Sequence, residues 1–277
     1  VSKRGIIEDL MMTQSKFRSK ILWSALIAAL FLWGWHYAYH SKVLGFSIVK
    51  ITSDFPYNPE WEVAAPSARE QKKLDEIFSQ TFKYLGAGSQ SYAFVSEDGK
   101  TVLKFFRMKH EIFHLKDLWE GDRSEERKDN LFSIYAAHKL AFEEMKEDAG
   151  LIYIHLNKTT HLNKKVKLVD KLHRSYVVDL DQVEFVVQEK AELIFDRLQK
   201  LLNNKEKMNE ALTQVMDLIR RRTNKRIADH DKAVTHNFGF VGDRAIQLDV
   251  GRIFRGHKPK DQDRILERID KWLDQRN

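Results

Sequence analysis

The chain of 277 residues has no cysteine, which excludes disulfides, cysteine nucleophiles and cysteine-held metals. Hydrophobic residues at 43% and charged residues at 31% describe a globular bulk, not a disordered one. The formal charge of +7 suits anionic partners, but there is no recognition motif and no basic run with interleaved aromatics, so no nucleic acid partner is expected.

The chain opens on Val1, compatible with a valine-coded start in a bacterial gene, with a start at Met11 or Met12, or with a fragment. Residues 1–20 are a basic segment with Lys3, Arg4, Lys16, Arg18 and Lys20. Ile21 to Tyr39 then runs without Asp, Glu, Lys or Arg. At about 1.5 Å per helical residue it roughly matches a bilayer core of about 30 Å. The aromatic residues Trp33, Trp35, Tyr37 and Tyr39 crowd its end, as at a headgroup boundary. The expectation is one transmembrane helix over 21–39, an uncleaved signal anchor in preference to a cleaved signal peptide or a buried core helix. The basic residues ahead of it place the N-terminus in the cytoplasm and the soluble domain outside.

Residues 40–66 hold three of the four prolines, Pro56, Pro59 and Pro66, and read as a linker with exposed Tyr57 and Trp61. Ser67 and Glu70 form a capping-box pattern that opens a short helix with Leu74, Ile77 and Phe78 on its apolar face. Strands are expected at Thr81 to Leu85, Tyr92 to Ser96 and Thr101 to Phe106, the last two joined at Asp98-Gly99 as a hairpin. A charged stretch, Arg107 to Asn130, leads to a helix from Leu131 to Lys146. Three more strands follow at Ile152 to Leu156, Lys165 to Lys171 and Val183 to Glu189. Beyond residue 191 the pattern turns helical: Met208, Leu212, Val215 and Ile219 recur at helical spacing, and Asp263 to Gln275 carries Ile265, Ile269 and Trp272 on one face.

Three segments carry chemistry. Leu85-Gly86-Ala87-Gly88-Ser89-Gln90-Ser91 lies between two strands, where Gly86 and Gly88 allow a phosphate close to the backbone; a plain hairpin turn would also use them. Lys104 sits among apolar neighbours on a strand, so its amine needs an anionic partner unless it faces solvent. Asp229-His230-Asp231, Asn237 and Asp249-Val250-Gly251 place carboxylates and an amide on loops, hard ligands suited to Mg²⁺ held with phosphates. His230 and His236 are a weak metal signal, and Arg220-Arg221-Arg222 with Lys225 and Arg226 reads as a solvated helix end.

Together, and in this order, these segments resemble the protein-kinase-like superfamily over about residues 82–252. The resemblance implies an α+β fold of two lobes: an antiparallel β-rich N-lobe over 67–191 and a reduced helical C-lobe over 192–277. It implies ATP and Mg²⁺ as cofactors. Asp231 would accept the proton of the substrate hydroxyl, Lys104 would contact the α- and β-phosphates, and Asp249 and Asn237 would hold metal. Gln188 and Lys190, in Gln188-Glu189-Lys190-Ala191, would form the hinge that receives adenine.

The sequence departs from the family pattern in five places. Ser91 replaces the third glycine, Asp229-His230-Asp231 replaces His-Arg-Asp, and Asn237 lies one position further on than the motif expects. On the helix after Lys104, only Glu143 and Glu144 stand as partners for the lysine, near its end. Little chain follows Gly251, which favours a small-molecule, sugar or lipid-linked acceptor over a folded protein. The expected function is a membrane-anchored phosphotransferase. The alternative is a pseudokinase that binds or scaffolds, which the location outside the cytoplasm, poor in ATP, would favour.

Overall fold

The computed structural model describes residues 19–35, 46–111, 117–231, 233–257 and 261–276. The chain divides into two units, Val1–Ser47 and Ile48–Asn277.

In the first unit, residues 19–35 form helix α1. Among the described residues no helix is long and apolar enough to cross a membrane, so the expected transmembrane helix is not supported. Residues 36–39 of the expected span lie outside the described residues.

The second unit mixes sheet and helix, as the expected α+β class requires. Residues 48–66, the larger part of the expected 40–66 linker, instead pack into the domain. Ile51, Phe55 and Trp61 are buried, whereas Tyr57 is exposed. Trp61 sits against Phe55 and Tyr135 with ring centroids 5.9 and 5.1 Å away. The prolines had suggested a spacer, but the aromatic side chains between them have more apolar surface to remove from water than a linker could leave exposed.

Helix α2 (Ala68–Phe78) starts on the reciprocal Ser67–Glu70 capping box, and Lys146 donates to the same Glu70 carboxylate at 2.7 Å. Strands β1 (Thr81–Ala87), β2 (Ser91–Ser96) and β3 (Thr101–Phe106) follow. The β2–β3 turn needs its Asp-Gly pair. Gly99 takes φ +72°, and Asp98 Oδ1 accepts from Ser96 Oγ at 2.6 Å and Lys100 N at 3.0 Å.

After the short helix α3 (Asp117–Glu120), α4 (Ser124–Glu144) begins seven residues before its expected start. Its charged first turns are held by Arg127, which donates to both oxygens of Asp117 at 3.0 and 2.8 Å. Then come β4 (Leu151–His155), β5 (Lys165–Val169), β6 (Ser175–Asp179) and β7 (Phe185–Glu189). All seven strands form one sheet in the order β4-β7-β3-β2-β1-β5-β6. Every pair is antiparallel except β1 with β5. The apolar face of α4, including Ile134, Tyr135 and Ala141, shares a core with Phe106, Leu151, Ile154 and Val186 of the sheet.

From β8 (Glu192–Leu193) onward, helices α5 (Ile194–Leu201), α6 (Lys205–Asn224) and α7 (Asp261–Asp274) build a second core around Leu198, Val215, Ile219, Ile265 and Ile269. Short strands punctuate them. β9 (Ile227–Asp229) pairs with β12 (Ile253–Arg255), and β10 (Phe238–Val241) pairs with β11 (Arg244–Gln247) and β8. These ladders fix the two loops of interest, residues 230–237 and 248–252, beside each other.

Candidate active site

The β1–β2 pairing shifts register between Tyr84 and Gly86, and Gly86 then sits opposite Ala93. A Cβ at Gly86 or Gly88 would project into open space, so no neighbour demands glycine there. What the glycines leave is an unobstructed backbone. The loop is folded down: Gly88 N–H donates to Ser91 C=O at 2.9 Å, and Arg107 Nη1 donates to Gly88 C=O at 3.1 Å. The Gln90 side chain lies against Gly251, in the space where a Cβ there would go.

Beneath the loop is a cleft lined by residues 88–91, by Lys104 and Phe106 of β3, by His138 of α4, and by Asp249. Its volume is about 60 Å³. The structure thus brings together three of the sequence-predicted elements: Gly88, Lys104 and Asp249. Lys104 sits opposite Ala93 and Val186 in the centre of the sheet, and its Nζ reaches out to donate to Leu248 C=O at 3.0 Å. Burial lowers the pKa of its ammonium, and the nearby Asp249 charge opposes that shift.

The second loop joins this cleft through the backbone. Leu248 N–H donates to Asn237 C=O at 2.7 Å, tying the Asn237 loop to the strand end that presents Asp249. The Asn237 side chain is buried, and its Nδ2 has no hydrogen-bond partner. A half-turn of the amide would set its oxygen in that place. Asp231 is half-buried, and its Oδ1 accepts from Ala233 N–H at 2.8 Å. Lys232 lies outside the described residues. Asp249 Oδ1 accepts from Gly251 N–H at 3.0 Å, which closes the Asp-x-Gly turn.

Gln188 and Lys190, the expected hinge, do not line this cleft. Gln188 is buried in β7, and its amide donates to Ala149 C=O at 2.7 Å and Leu248 C=O at 3.2 Å. It therefore braces the carbonyl that also receives Lys104. The Lys190 N–H donates to Lys100 C=O at 2.8 Å, and the Glu189 N–H to Gly150 C=O at 2.8 Å. These amides serve the sheet end as it stands.

Three residues of the site have partners that the sequence did not reveal. Asp229 is buried, and burial pushes its carboxyl up to about 6 despite the Asp231 N–H donated to its Oδ1 at 2.8 Å and the nearby Arg222 charge. Gln247 Nε2 donates to Asp229 Oδ2 at 2.8 Å, while Arg222 Nη1 donates to Gln247 Oε1 at 2.9 Å. Arg222, expected in a solvated cluster, is instead 2% exposed and 3.9 Å from Asp229 Oδ2. The third is His138, on the α4 face turned to the cleft. Neither Glu143 nor Glu144 meets Lys104: Glu143 lies 3.7 Å from Lys139, and Glu144 pairs with Arg255. Helix periodicity decides this, because residues five and six positions after 138 point away from the face it occupies. His230 stacks on Phe254 at 4.1 Å, and among the described residues no group of three His, Asp or Glu could hold a metal.

No family model matches the chain, and no curated protein matches it. Among solved structures it is similar to the one described as the structure of the streptomycin–ATP–APH(2")-IIa ternary complex. The identity is 11%, the TM-score 0.26, and the match covers 75% of this chain and 78% of that one.

Proposed function

We propose that this domain is an ATP-dependent phosphotransferase acting on a small-molecule, sugar or lipid-linked hydroxyl. The observation that carries the reading is the convergence of the glycine loop, Lys104 and Asp249 on one cleft, with the Asp231–Asn237 loop hydrogen-bonded to its edge. The donor set fits a nucleotide and its metal. Lys104 spends one of its three N–H bonds on Leu248, leaving donors for phosphate oxygens. The Asp249 carboxylate and the Asn237 amide are hard oxygen ligands of the kind Mg²⁺ takes. Bound there, Mg²⁺ would supply neutralisation of the charge that builds on phosphate oxygens.

The chain's own groups then divide the work. Loop residues 88–91 cover the phosphates and exclude water. Lys104 orients them. Asp231 uses its carboxylate to receive the acceptor's proton, as the acceptor oxygen bonds to the γ-phosphorus and the bond to the bridging oxygen breaks to leave ADP. In the structure the Asp231 carboxylate accepts from one backbone N–H and is half-exposed, which leaves lone pairs for a hydroxyl.

A non-catalytic binding module is the second reading, favoured by the folded-down loop. A cleft of about 60 Å³ is far below the roughly 300 Å³ of a small-molecule pocket. The test is nucleotide-dependent thermal stabilisation with and without Mg²⁺, paired with ATP turnover. Expected are a shift in wild type, its loss in Lys104→Met and Asp249→Ala, and binding without turnover in Asp231→Asn. A wild type that shows no shift with ATP and Mg²⁺ would overturn the first reading and leave the second. Binding with no turnover across sugar and lipid-linked acceptors would leave the second.

A further inference from the structure

We propose that strand β6 is a docking edge for a second copy of this chain, pairing antiparallel with its own counterpart so that two seven-stranded sheets join into one. The proposal is independent of the nucleotide reading, since among the described residues none of β5 or β6 lines the cleft.

The sheet has two edges, β4 and β6, and the fold treats them differently. β4 is buried at all but one of its positions. Just beyond it, Asn157 is tied to the Asn58 backbone: its Oδ1 accepts from Asn58 N–H at 2.9 Å and its Nδ2 donates to Asn58 C=O at 3.0 Å. In β6 (Ser175–Asp179) only Val178 is buried, and Val177 is left 65% exposed. Soluble proteins blunt a bare edge with proline, lysine, a bulge or a covering element. β6 has no proline and no lysine, and its register with β5 runs without a bulge from Lys165 opposite Asp179 to Val169 opposite Ser175.

The ladder decides which backbone groups this edge offers. Leu180 N–H donates to Lys164 C=O at 2.9 Å, and Asp170 N–H donates to Arg174 C=O at 3.0 Å. Both are hydrogen-bonded pairs at the two ends of the β5–β6 ladder. Alternation between them turns the backbone of Tyr176 and Val178 inward to β5, and that of Ser175, Val177 and Asp179 outward.

Any extended strand could use such an edge, but the sequence of β6 complements itself. With a two-fold axis at Val177, this residue meets the partner's Val177, and Ser175 meets the partner's Asp179. Every outward-facing residue then meets an outward-facing one, as hydrogen-bonded pairs require. On that face the Ser175 hydroxyl stands against a carboxylate, a donor against an acceptor. On the other face Tyr176 stands beside the partner's Val178, an aromatic and β-branched pair of the kind that stabilises sheets. No like charges oppose each other. The cations of the exposed face, Lys165 and Lys167, lie one strand back on β5, and Lys165 already sits 4.0 Å from Asp179 of its own chain.

The experiment uses the full chain in mild detergent, which covers the exposed apolar side chains of α1 such as Leu22 and Phe31. The chain has no cysteine, so each introduced thiol is the only one. Val177→Cys, Ser175→Cys, Asp179→Cys and, as an exposed control on β5, Lys167→Cys are oxidised with copper–phenanthroline and read by non-reducing electrophoresis. Across the axis the two Cα atoms of residue 177 would lie about 5.5 Å apart, within disulfide reach, and those of residue 175 roughly 14 Å apart, beyond it. Val177→Cys should therefore cross-link about tenfold faster than the other three variants alone. Ser175→Cys mixed with Asp179→Cys should give cross-linked dimers that neither gives by itself. In sedimentation, wild type should pass from dimer to monomer on dilution, with a dissociation constant on the order of 10–100 μM, because one strand edge is a small interface. Val177→Lys, and Val177→Pro, which removes an outward N–H and spares the β5 ladder, should be monomers with the melting temperature of wild type. Cross-linking no faster at 177 than at 167, or a dimer that persists in folded Val177→Lys, would overturn the proposal. So would a wild type that stays monomeric and protects the Val177 amide from exchange only when an extended peptide is added, since the edge would then serve a foreign strand.

Discussion

Arg222→Met tests how the loop that follows β9 is held. Arg222 is 2% exposed at the heart of a buried chain that runs through Gln247 to Asp229, whose Oδ1 in turn accepts the Asp231 N–H. Methionine fills similar volume, so little of the cost comes from a cavity. The cost comes from Asp229, which keeps its burial and loses its countercharge. Removing one partner of a buried pair destabilises by roughly 3–5 kcal/mol. Part of that is avoided if Asp229, already held up at about 6, takes a proton at neutral pH. The expected loss is therefore about 3 kcal/mol by urea unfolding at pH 7, and smaller at pH 5, where wild-type Asp229 is itself largely protonated. A double-mutant cycle with Asp229→Asn should give a coupling of about 1–3 kcal/mol. A loss below about 1 kcal/mol at pH 7, or a loss of equal size at both pH values, would refute a buried charge pair as the support of this loop.

Acid sensitivity follows from three buried groups. Burial holds His138 and His155 down at about 4, so each contributes stability above pH 6.5 that is lost as pH falls toward 4. Asp229, raised to about 6, acts in the opposite sense and gains stability as pH falls below that value. The net loss between pH 7 and pH 4.5 should be about 3 kcal/mol in urea titrations, and His155→Phe should remove roughly 2–3 kcal/mol of it. Gly239→Ala should destabilise by about 1–3 kcal/mol, because the new Cβ would lie 2.5 Å from the Glu192 carbonyl in the β8–β10 ladder. A melting temperature unchanged from wild type would contradict that packing.

What could be read from the sequence depended on whether a residue's role was local. The Ser67–Glu70 cap, the Asp98-Gly99 hairpin and strand β3 are written in adjacent residues, and they occur where the local pattern placed them. Strand β6 was unassigned although Tyr176-Val177-Val178 has strand character. It is an outer strand with Val177 65% exposed, so the burial alternation that reveals a strand is blunted. The cleft's glycine, lysine and Asp-x-Gly elements were legible because each belongs to a short motif. His138 was not, and for Arg222 and Asp229, read as part of a solvated helix end and as a loop carboxylate, the buried pairing was not, since it runs through Gln247, 18 positions from Asp229. Residues 48–66 misled for the opposite reason: three prolines gave a strong local signal, and burial of Phe55 and Trp61 overrode it.

The position of Gln90 against Gly251 has a kinetic side. If the proposed nucleotide site is to open beyond its volume of about 60 Å³, Gln90 has to leave Gly251, and the apparent affinity would be the intrinsic affinity scaled by the fraction of molecules in which it has. Arg107, which holds Gly88 by its guanidinium, carries its cation 4.7 Å above the ring of Tyr92. The catch that keeps the loop down therefore sits at the end of β3, on the strand that bears Lys104, and sheet and lid share one rigid support. Binding would then be limited at high ligand concentration by the rate of lifting, a property of the protein alone and indifferent to which anion waits outside.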